Sequence, residues 1–258
     1  MARVIAICNQ KGGVGKSTTA VNVGAYLALS EKRTLLIDLD PQGNATTTCG
    51  IQRSGLERDT YGVLAKGISA AESIQKTPID RLEILPASLD LAGAEPYLTG
   101  IESREFVLQK ICNGLRASYE FIILDCPPSL GLLTINALVA ADSTIIPVQC
   151  EYLALEGLKS LMHAINLIQQ NLNPELRIGG ILLTMTDFRA TLTREVAEEV
   201  RKFFKERVFT TSIPRNIRLA ESPSFGKPIC LYDPSSSGAL AYQLVAQEVI
   251  LKESLQPA

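Results

Sequence analysis

The sequence lacks several features by which whole classes of protein are recognised. Its 258 residues include no tryptophan and one histidine, and its six cysteines form no Cys-x-x-Cys pair. Zinc and iron–sulfur sites of the usual spacing are therefore not indicated, and a disulfide framework is not expected in so long a chain. No apolar run approaches the ~18 residues of a membrane-spanning helix. We expect the cysteines to be mostly small core residues and the protein to be cytoplasmic.

A strong net charge is also lacking. The chain has 25 Lys and Arg against 27 Asp and Glu, a formal charge of −2. This balance excludes a uniformly basic coat that would bind nucleic acid through bulk charge. The charge is uneven, however: ten basic and six acidic residues lie between Arg177 and Lys227, against fifteen and twenty-one elsewhere. Both a local basic face for DNA and an ordinary solvated surface agree with this count.

Apolar runs alternate along the chain with segments of helical periodicity. The runs lack polar alternation, which is typical of strands buried on both faces of a parallel sheet. The predicted strands are Val4–Cys8, Leu35–Ile37, Leu82–Leu85, Phe121–Leu124, Thr144–Val148 and Ile178–Thr184. The predicted helices are Ser17–Leu29, Arg104–Leu115, Leu130–Ala140, Leu155–Gln170, Leu192–Lys205 and Gly238–Lys252. This alternation predicts an α/β fold with a doubly wound, mostly parallel sheet and helices on both faces. No Pro/Gly/Ser-rich linker divides it, so we expect a single domain over residues 1–258.

The segment from Asn9 to Thr18 reads NQKGGVGKST between a predicted strand and a predicted helix. Glycines allow backbone N–H groups to converge on an anion, and the helix N-terminus adds partial positive charge. In such a loop Lys16 would reach the β- and γ-phosphates and the Ser17 hydroxyl would bind Mg²⁺. The strict G-x-x-x-x-G-K-[ST] pattern is broken, since Gln10 replaces its first glycine and Lys11 adds a second lysine. The alternative is a glycine-rich turn with two surface lysines.

Carboxylates follow two of the predicted strands. Asp38 and Asp40 lie in LLIDLDPQGN, and Asp125 lies in FIILDCPPSL. Ligands of open α/β sheets bind beyond the carboxyl ends of the strands, where an Asp can hold Mg²⁺ directly or through water. Each Asp could instead cap the helix or turn that follows it. Because phosphoryl transfer needs positioning and charge stabilisation rather than a covalent nucleophile, we assign no catalytic Ser, Cys or His.

Together these motifs resemble the ParA/MinD superfamily of P-loop ATPases, which carry a deviant Walker A loop, and in particular its Soj-like chromosome-partitioning branch. The resemblance extends from Val4 to about Val249 and rests on KGGVGKST, DLDPQGN, DCPPSL and IPRNIRLAESPSFGKPI. It implies a P-loop fold and a Mg²⁺-dependent ATPase with ATP and Mg²⁺ as its cofactors. It also implies a homodimer that encloses ATP, in which Lys11 crosses to the partner's phosphates.

The resemblance further implies a role for each site residue. Asp125 would bind Mg²⁺ through water, while Asp40 would position the attacking water and also hold Mg²⁺ through water. The role of Asp38 is left open. Pro214 would pack on adenine and Asn216 would bond to it, although a plain turn around Pro214 is the alternative. The implied catalytic residues are Lys11, Lys16 and Asp40, and the implied nucleotide contacts are Lys11, Gly12, Gly13, Val14, Gly15, Lys16, Ser17, Thr18, Met185, Pro214 and Asn216.

Partners are likewise implied by the resemblance. In the Soj-like branch, arginines at the positions of Arg189 and Arg218 contact the DNA backbone without sequence preference. The implied partners are therefore a second copy of the chain, nonspecific double-stranded DNA and a ParB-type centromere-binding protein that stimulates hydrolysis. The implied location is the nucleoid, with no membrane binding. The sequence shows no helix-turn-helix signature, so operator-specific binding is not expected.

Two other functions within this superfamily stay open. A MinD-like, membrane-cycling positioning ATPase needs a basic amphipathic C-terminal helix. The stretch from Gly238 to Ser254 has one Lys and two Glu, and it is more typical of a helix packed on a sheet. A nitrogenase-reductase-like carrier needs cysteine thiolates at a dimer axis. Cys126 follows Asp125 directly, but no second cysteine has a convincing bridging position. The sequence does not distinguish a chromosome from a plasmid as the DNA served.

Overall fold

A computed structural model describes residues 1–152 and 154–255. Within these residues the strands form one seven-stranded sheet in the spatial order β3-β4-β2-β5-β1-β6-β7. The strands are β1 (Arg3–Ile7), β2 (Thr34–Asp38), β3 (Gln75–Lys76), β4 (Leu82–Leu85), β5 (Phe121–Asp125), β6 (Ser143–Gln149) and β7 (Arg177–Thr184). Neighbouring strands are parallel except for β3, which is antiparallel to β4. The predicted mostly parallel sheet is confirmed, and each predicted strand agrees with an observed one to within one residue at either end.

The helices connect these strands. They are α1 (Lys16–Leu29), α2 (Asn44–Thr48), α3 (Thr60–Ala65), α4 (Ala70–Ser73), α5 (Ala94–Thr99), α6 (Val107–Leu115), α7 (Leu132–Ala140), α8 (Ala154–Asn171), α9 (Thr191–Phe204), α10 (Ile217–Glu221), α11 (Ile229–Tyr232) and α12 (Ser237–Ser254). The predicted helix Arg104–Leu115 begins instead as a 3₁₀ turn, Arg104–Phe106, before α6. The short helices α2 to α5, α10 and α11 were not predicted, because four to six residues are too few to show a helical period.

Alternate residues of β1 face opposite sides of the sheet. Val4 and Ala6 belong to one apolar core, which α3 and α5 to α9 cover. Ile5 and Ile7 belong to a second core, which α1, α2 and α10 to α12 cover. Helices therefore lie on both faces, as predicted. Burial on both sides explains why the strands read as continuous apolar runs.

The register of the central strands brings the motif residues to one edge. Ile7 at the end of β1 is paired with Asp125 at the end of β5, and Asp125 is also paired with Asp38 at the end of β2. The loop after β1 therefore begins beside both acidic strand ends. This is the edge at which open parallel sheets bind their ligands.

The last helix is integrated into the second core. α12 packs along α1, and its Tyr242 and Val245 are buried. The Tyr242 hydroxyl lies 3.0 Å from Oγ1 of Thr19, which fixes α12 to the first turns of α1. Among the helices of residues 1–152 and 154–255, none combines the length and apolarity needed to cross a membrane.

Candidate functional site

The loop between β1 and α1 has an open backbone cradle. Gly13 and Gly15 have φ of 74° and 88°, in the left-handed region that favours glycine. A Cβ at either position would meet no atom within 4 Å, so glycine is needed here for its backbone conformation. Gly15 is the N-cap of α1, and no side chain caps this helix. The first N–H groups of α1 are therefore free to bind an anion.

Side chains from neighbouring strand ends brace this loop. Nδ2 of Asn9 donates to the carbonyl of Pro147 in β6 at 2.7 Å, and Oδ1 of Asn9 accepts from the N–H of Lys11 at 3.0 Å. Oγ1 of Thr184, the last residue of β7, donates to the carbonyl of Val14 at 2.9 Å. Asn9 and Thr184 thus position the loop. Sequence reasoning missed both roles, because the partners lie more than a hundred residues away from the residues they hold.

The two lysines of the loop lie in different environments. Lys16 is buried, and its Nζ donates to the carbonyl of Lys11 at 3.0 Å. Burial lowers the pKa of Lys16, while the negative charges of Asp125 and Asp40 oppose this shift. The side chain of Lys11 is half-exposed and forms an ion pair with Glu151. The ammonium of Lys16 is therefore held inside the loop, whereas that of Lys11 lies at the surface beside Glu151.

Asp125 carries the most unusual carboxylate of the site. It is fully buried, and neither of its oxygens has a hydrogen-bond partner in the described parts of the chain. Burial raises its pKa well above the usual range, and the charge of Asp38 raises it further. The Ser17 hydroxyl and the Lys16 ammonium oppose the shift, although Ser17 does not complete a hydrogen bond. A buried carboxylate in this state calls for a cation or an ordered water.

The donors around Asp125 fit a magnesium ion held partly by a ligand. Mg²⁺ prefers oxygen, keeps several waters and is usually held by one or two carboxylates together with phosphate oxygens. Ser17, Asp40 and Asp125 supply such oxygens. Within the described residues no group of three or more His, Cys, Asp or Glu side chains could hold a metal ion alone. The phosphates of a nucleotide would therefore have to complete the coordination.

Asp38 organises the segment that follows β2. One of its oxygens accepts from the N–H of Asp40 at 3.1 Å. The other accepts from the N–H of Thr46 at 2.8 Å and from its hydroxyl at 2.6 Å. Burial raises the pKa of Asp38 to about 6, while the bonds from Thr46 favour its charged form. Asp38 therefore holds Asp40 in place, which gives a structural role to the residue that the sequence left open.

Two cavities share this edge of the sheet. The first, of about 310 Å³, is lined by Gly12, Gly13, Gly15, Lys16, Ser17, Thr18, Asp40, Gln42, Asn44, Thr48, Pro128, Met185 and Pro223. The second, of about 400 Å³, is lined by Gly15, Thr18, Thr184, Met185, Ile213, Pro214, Arg215, Asn216, Ile217, Leu219, Ala220 and Tyr242. Gly15, Thr18 and Met185 line both, so the cavities adjoin. The structure thus brings the predicted phosphate and base residues together, whereas Lys11 and Val14 line neither cavity.

The second cavity is shaped by a turn after β7. Met185 has a φ of 51°, a left-handed conformation that is uncommon for a residue with a side chain. Thr186 then pairs with Pro214 in an isolated parallel bridge. No strand precedes Pro214 in the described segment between β7 and α10 other than isolated bridges. Asn216 caps α10 by accepting from the N–H of Arg218 at 2.8 Å, and its Nδ2 donates to Ser237 at 2.9 Å. Base contacts by Met185, Pro214 and Asn216 stay predictions.

The two candidate DNA-binding arginines are exposed but paired. The Arg189 side chain is 92% exposed, and its Nε and Nη2 donate to Asp187 at 2.8 and 2.7 Å. The Arg218 side chain is 51% exposed and pairs with Glu221 at 3.0 Å and with Asp233 at 3.5 Å. These acids compensate part of the positive charge that a DNA backbone would meet.

The basic residues between Arg177 and Lys227 do not all lie together. Arg177 begins β7 and pairs with Glu253 at 3.4 Å, whereas Arg189 follows the other end of the same strand. The two arginines therefore lie toward opposite ends of β7. The count along the chain thus includes one residue, Arg177, that lies away from Arg189.

Cys126 does not lie at a surface. It is fully buried in the first core, and its Sγ lies 3.9 Å from the carbonyl of Leu124. Burial raises the pKa of this thiol well above its usual range. A shared iron–sulfur centre needs an accessible thiolate, so this position is unsuited to one.

Comparisons with known proteins identify relatives over nearly the whole chain. Residues 2–178 match the family described as an AAA domain. The chain is 53% identical over 249 residues to the sporulation initiation inhibitor protein Soj of Bacillus subtilis strain 168, covering 96% of this chain and 98% of that protein. It is 51% identical over 254 residues to the chromosome partitioning protein ParA of Myxococcus xanthus strain DK1622, covering 98% and 90%. A solved structure of cobyrinic acid a,c-diamide synthase from Mycobacterium smegmatis, with bound ADP and magnesium, matches with a TM-score of 0.87. It is 36% identical and covers 98% of this chain and 96% of that chain.

Proposed function

We propose that this chain, which belongs to the Soj/ParA family of chromosome-partitioning ATPases, couples the binding and hydrolysis of ATP to DNA segregation. The observation that carries the proposal is the pair of cavities that meet at Gly15, Thr18 and Met185. One cavity has the charges and free N–H groups that phosphates need, and the other is predominantly apolar. Residues 1–258 would act as a single ATPase domain.

ATP would lie across both cavities. Its base would pack against Met185 and Pro214, and its phosphates would meet Lys16 and the N-terminus of α1. Ser17 would hold Mg²⁺ directly, while Asp125 and Asp40 would hold it through water. When bound, Mg²⁺ supplies positive charge against the β- and γ-phosphates. The similar Mycobacterium smegmatis synthase structure contains ADP and magnesium, which supports an adenine nucleotide and Mg²⁺ as the ligands.

Hydrolysis would depend on positioning rather than on a covalent nucleophile. Asp40 would orient the attacking water. The Asp38 carboxylate, which accepts from the N–H groups of Asp40 and Thr46, would keep the backbone of Asp40 in place. The Lys16 ammonium would stabilise the charge that develops on the transferred phosphoryl group. A preorganised charge of this kind is effective because the surroundings exclude water.

A second subunit would complete the site. Lys11 lines neither cavity of its own subunit, and its side chain is 40% exposed, which supports a role across a dimer interface. The nearest analogy is an arginine finger supplied in trans, which is worth roughly 10³–10⁵ in rate where it has been measured. ATP binding would thus favour a homodimer.

The dimer would bind DNA through Arg189 and Arg218. Two copies of a weak cationic surface bind a polyanion far better than one, so DNA affinity would depend on ATP. A ParB-type centromere-binding partner would stimulate hydrolysis, and return to the monomer would release the DNA. The protein would therefore cycle on and off the nucleoid. The packing of α12 on α1 favours DNA over a membrane surface as the partner, because the helix is already part of the core.

The test is a DNA-binding titration with ATP, with ADP and without nucleotide. We expect binding with ATP only, and prolonged binding for Asp40→Ala because hydrolysis would no longer reset the dimer. Asp80→Ala removes an exposed carboxylate of the same type and should behave as the wild type. Equal DNA binding without nucleotide would contradict the proposal. Vesicles of anionic lipid form a further arm, in which ATP-dependent sedimentation with lipid and none with DNA would favour the MinD-like alternative.

A further inference from the structure

Glu151 lies where the chain leaves β6, beside the phosphate loop. β6 is parallel to β1 and ends at Gln149, two residues before Glu151, so this residue comes alongside the loop that follows β1. Its carboxylate pairs with Nζ of Lys11. A second link joins the same two segments, because Nε2 of Gln10 donates to the carbonyl of Gly157 at 3.1 Å. Glu151 and the first turn of α8 are therefore attached to two neighbouring residues of the loop, Lys11 and Gln10.

Lys11 is held at three points within its own subunit. Its N–H donates to Asn9 and its carbonyl accepts from Lys16, both at 3.0 Å, while its ammonium meets Glu151. The first bond fixes the backbone. The second bond engages the ammonium of Lys16, and the ion pair with Glu151 neutralises the ammonium of Lys11. The ammonium of Lys11 is thus directed along the surface of its own subunit rather than outward to a second one.

We propose that Glu151 is a positioning residue that retains Lys11 on its own subunit until the phosphates of a second ATP-bound subunit replace the carboxylate. This inference rests on the role proposed above for Lys11. The exchange swaps one negative charge for the larger charge of a triphosphate, so it favours the dimer when the γ-phosphate is present. With a diphosphate the gain is smaller, and the pair with Glu151 would persist.

The strength of the pair sets the size of the effect. Both side chains are half-exposed, at 40% and 46%, so the pair is weak enough to be exchanged. An exposed ion pair of this type shifts an equilibrium by roughly two- to fivefold. Since one dimer must open two such pairs, removing them should tighten dimerisation by about four- to twenty-fivefold.

The experiment measures the dimer dissociation constant by sedimentation equilibrium, with Mg²⁺ and a non-hydrolysable ATP analogue. Glu151→Gln should tighten the dimer by the factor given above and should raise the dimer fraction with ADP. Glu151→Ala should act in the same direction. Glu156→Gln removes an equal charge five residues further along, where no ion pair is formed with Lys11, and should leave the constant unchanged.

A double-mutant cycle makes the result specific to Lys11. In a Lys11→Ala background, Glu151→Gln should have no further effect on dimerisation. An unchanged or weaker dimer in the single Glu151 variants, or an equal gain in the Lys11→Ala background, would overturn the inference and leave the proposed function intact. A wild-type chain that stays monomeric with the ATP analogue would overturn the proposed function and this inference together.

Discussion

The nucleotide site and the arginine surface use charge in opposite ways. In the site, Lys16 and Asp125 are buried, and Asp125 has no hydrogen-bond partner among the described residues. On the surface, Arg189 and Arg218 are exposed, and each is paired with acids. Buried charges interact strongly with the ligand that satisfies them, whereas exposed pairs are weak and are screened by salt. Under the function proposed above, this contrast predicts tight, specific binding of the nucleotide at one region and adjustable binding of DNA at the other.

Lys16→Ala tests the buried side of this contrast and should have the largest effect. The variant removes a charge-assisted bond to phosphate, so ATP affinity should fall by about 10- to 100-fold. ATP-dependent DNA binding should be lost with it. Titration with a fluorescent ATP analogue measures the first effect. Lys32→Ala, which removes an exposed lysine paired with Glu120, is the matched control. If Lys16→Ala bound ATP as tightly as the wild type, the buried charge of Lys16 would not contribute to nucleotide binding, and the contrast with the exposed arginines would fail.

Arg218→Glu tests the exposed side. Each dimer would lose two cations and gain two anions, so DNA affinity in the ATP state should fall by about tenfold or more. The slope of log affinity against log salt should become shallower by about two, since two phosphate contacts are lost. ATP affinity should not change. Arg58→Glu reverses another exposed arginine, paired with Glu72, and should leave DNA binding intact. Equal losses in both variants would mean that only overall charge matters.

The effect of Asp125→Asn on thermal stability should depend on whether the ligand is bound. Because burial raises the pKa of this carboxyl, the nucleotide-free fold favours a neutral side chain, and Asn is the neutral isostere. Without nucleotide we expect about 1 kcal/mol of stabilisation, which raises the Tm by about 2–4 °C. On adding Mg²⁺ and ATP, the Tm of the variant should rise less than that of the wild type. Differential scanning calorimetry measures both.

The matched control for Asp125→Asn is Asp142→Asn. Asp142 is paired with Arg116 at 2.8 Å and accepts from the N–H of Val4 at 2.8 Å, so its charge is satisfied. Neutralising it should lower the Tm with or without nucleotide. If both variants lower the Tm of the nucleotide-free protein equally, the unpaired state of Asp125 has no energetic consequence.

Asp187→Asn should have the smallest effect. It releases Arg189 from its two-point contact, so DNA affinity with ATP should rise by about twofold at low salt and less at high salt. Filter binding over a salt series detects the change. Glu175→Gln, a substitution of another exposed acid, should leave the affinity as it is. A fall in affinity for Asp187→Asn would mean that the acid orders Arg189 for DNA rather than competing with it.

The phosphate half of the site was predictable because its residues are contiguous in sequence. Gly12 to Thr18 run without interruption from the loop after β1 into the first turn of α1. The acidic residues follow two apolar strands whose ends must meet in a parallel sheet. The mostly parallel sheet and both helical layers follow from the same alternation of periods, whereas the strand order does not.

The lining of the second cavity and the contacts that hold the phosphate loop could not be predicted in the same way. Thr184, Leu219 and Tyr242 come from three separate segments that only tertiary packing brings to one cavity. Glu151 meets Lys11 across 140 positions of sequence, and no local pattern indicates such a pair. For the same reason the charge count from Arg177 to Lys227 adds Arg177 to Arg189 although β7 separates them.

The hydrogen bond that Thr184 donates to the carbonyl of Val14 links the two cavities of the site. It joins the phosphate loop to the end of β7, which Met185 follows directly. In the binding mode proposed above, the distance between the base and the phosphates would then be fixed, and a nucleotide anchored at its base could not slide to replace a missing phosphate. The difference in length between a diphosphate and a triphosphate would be detected at the far end of the first cavity, beside Asp40 and Gly12.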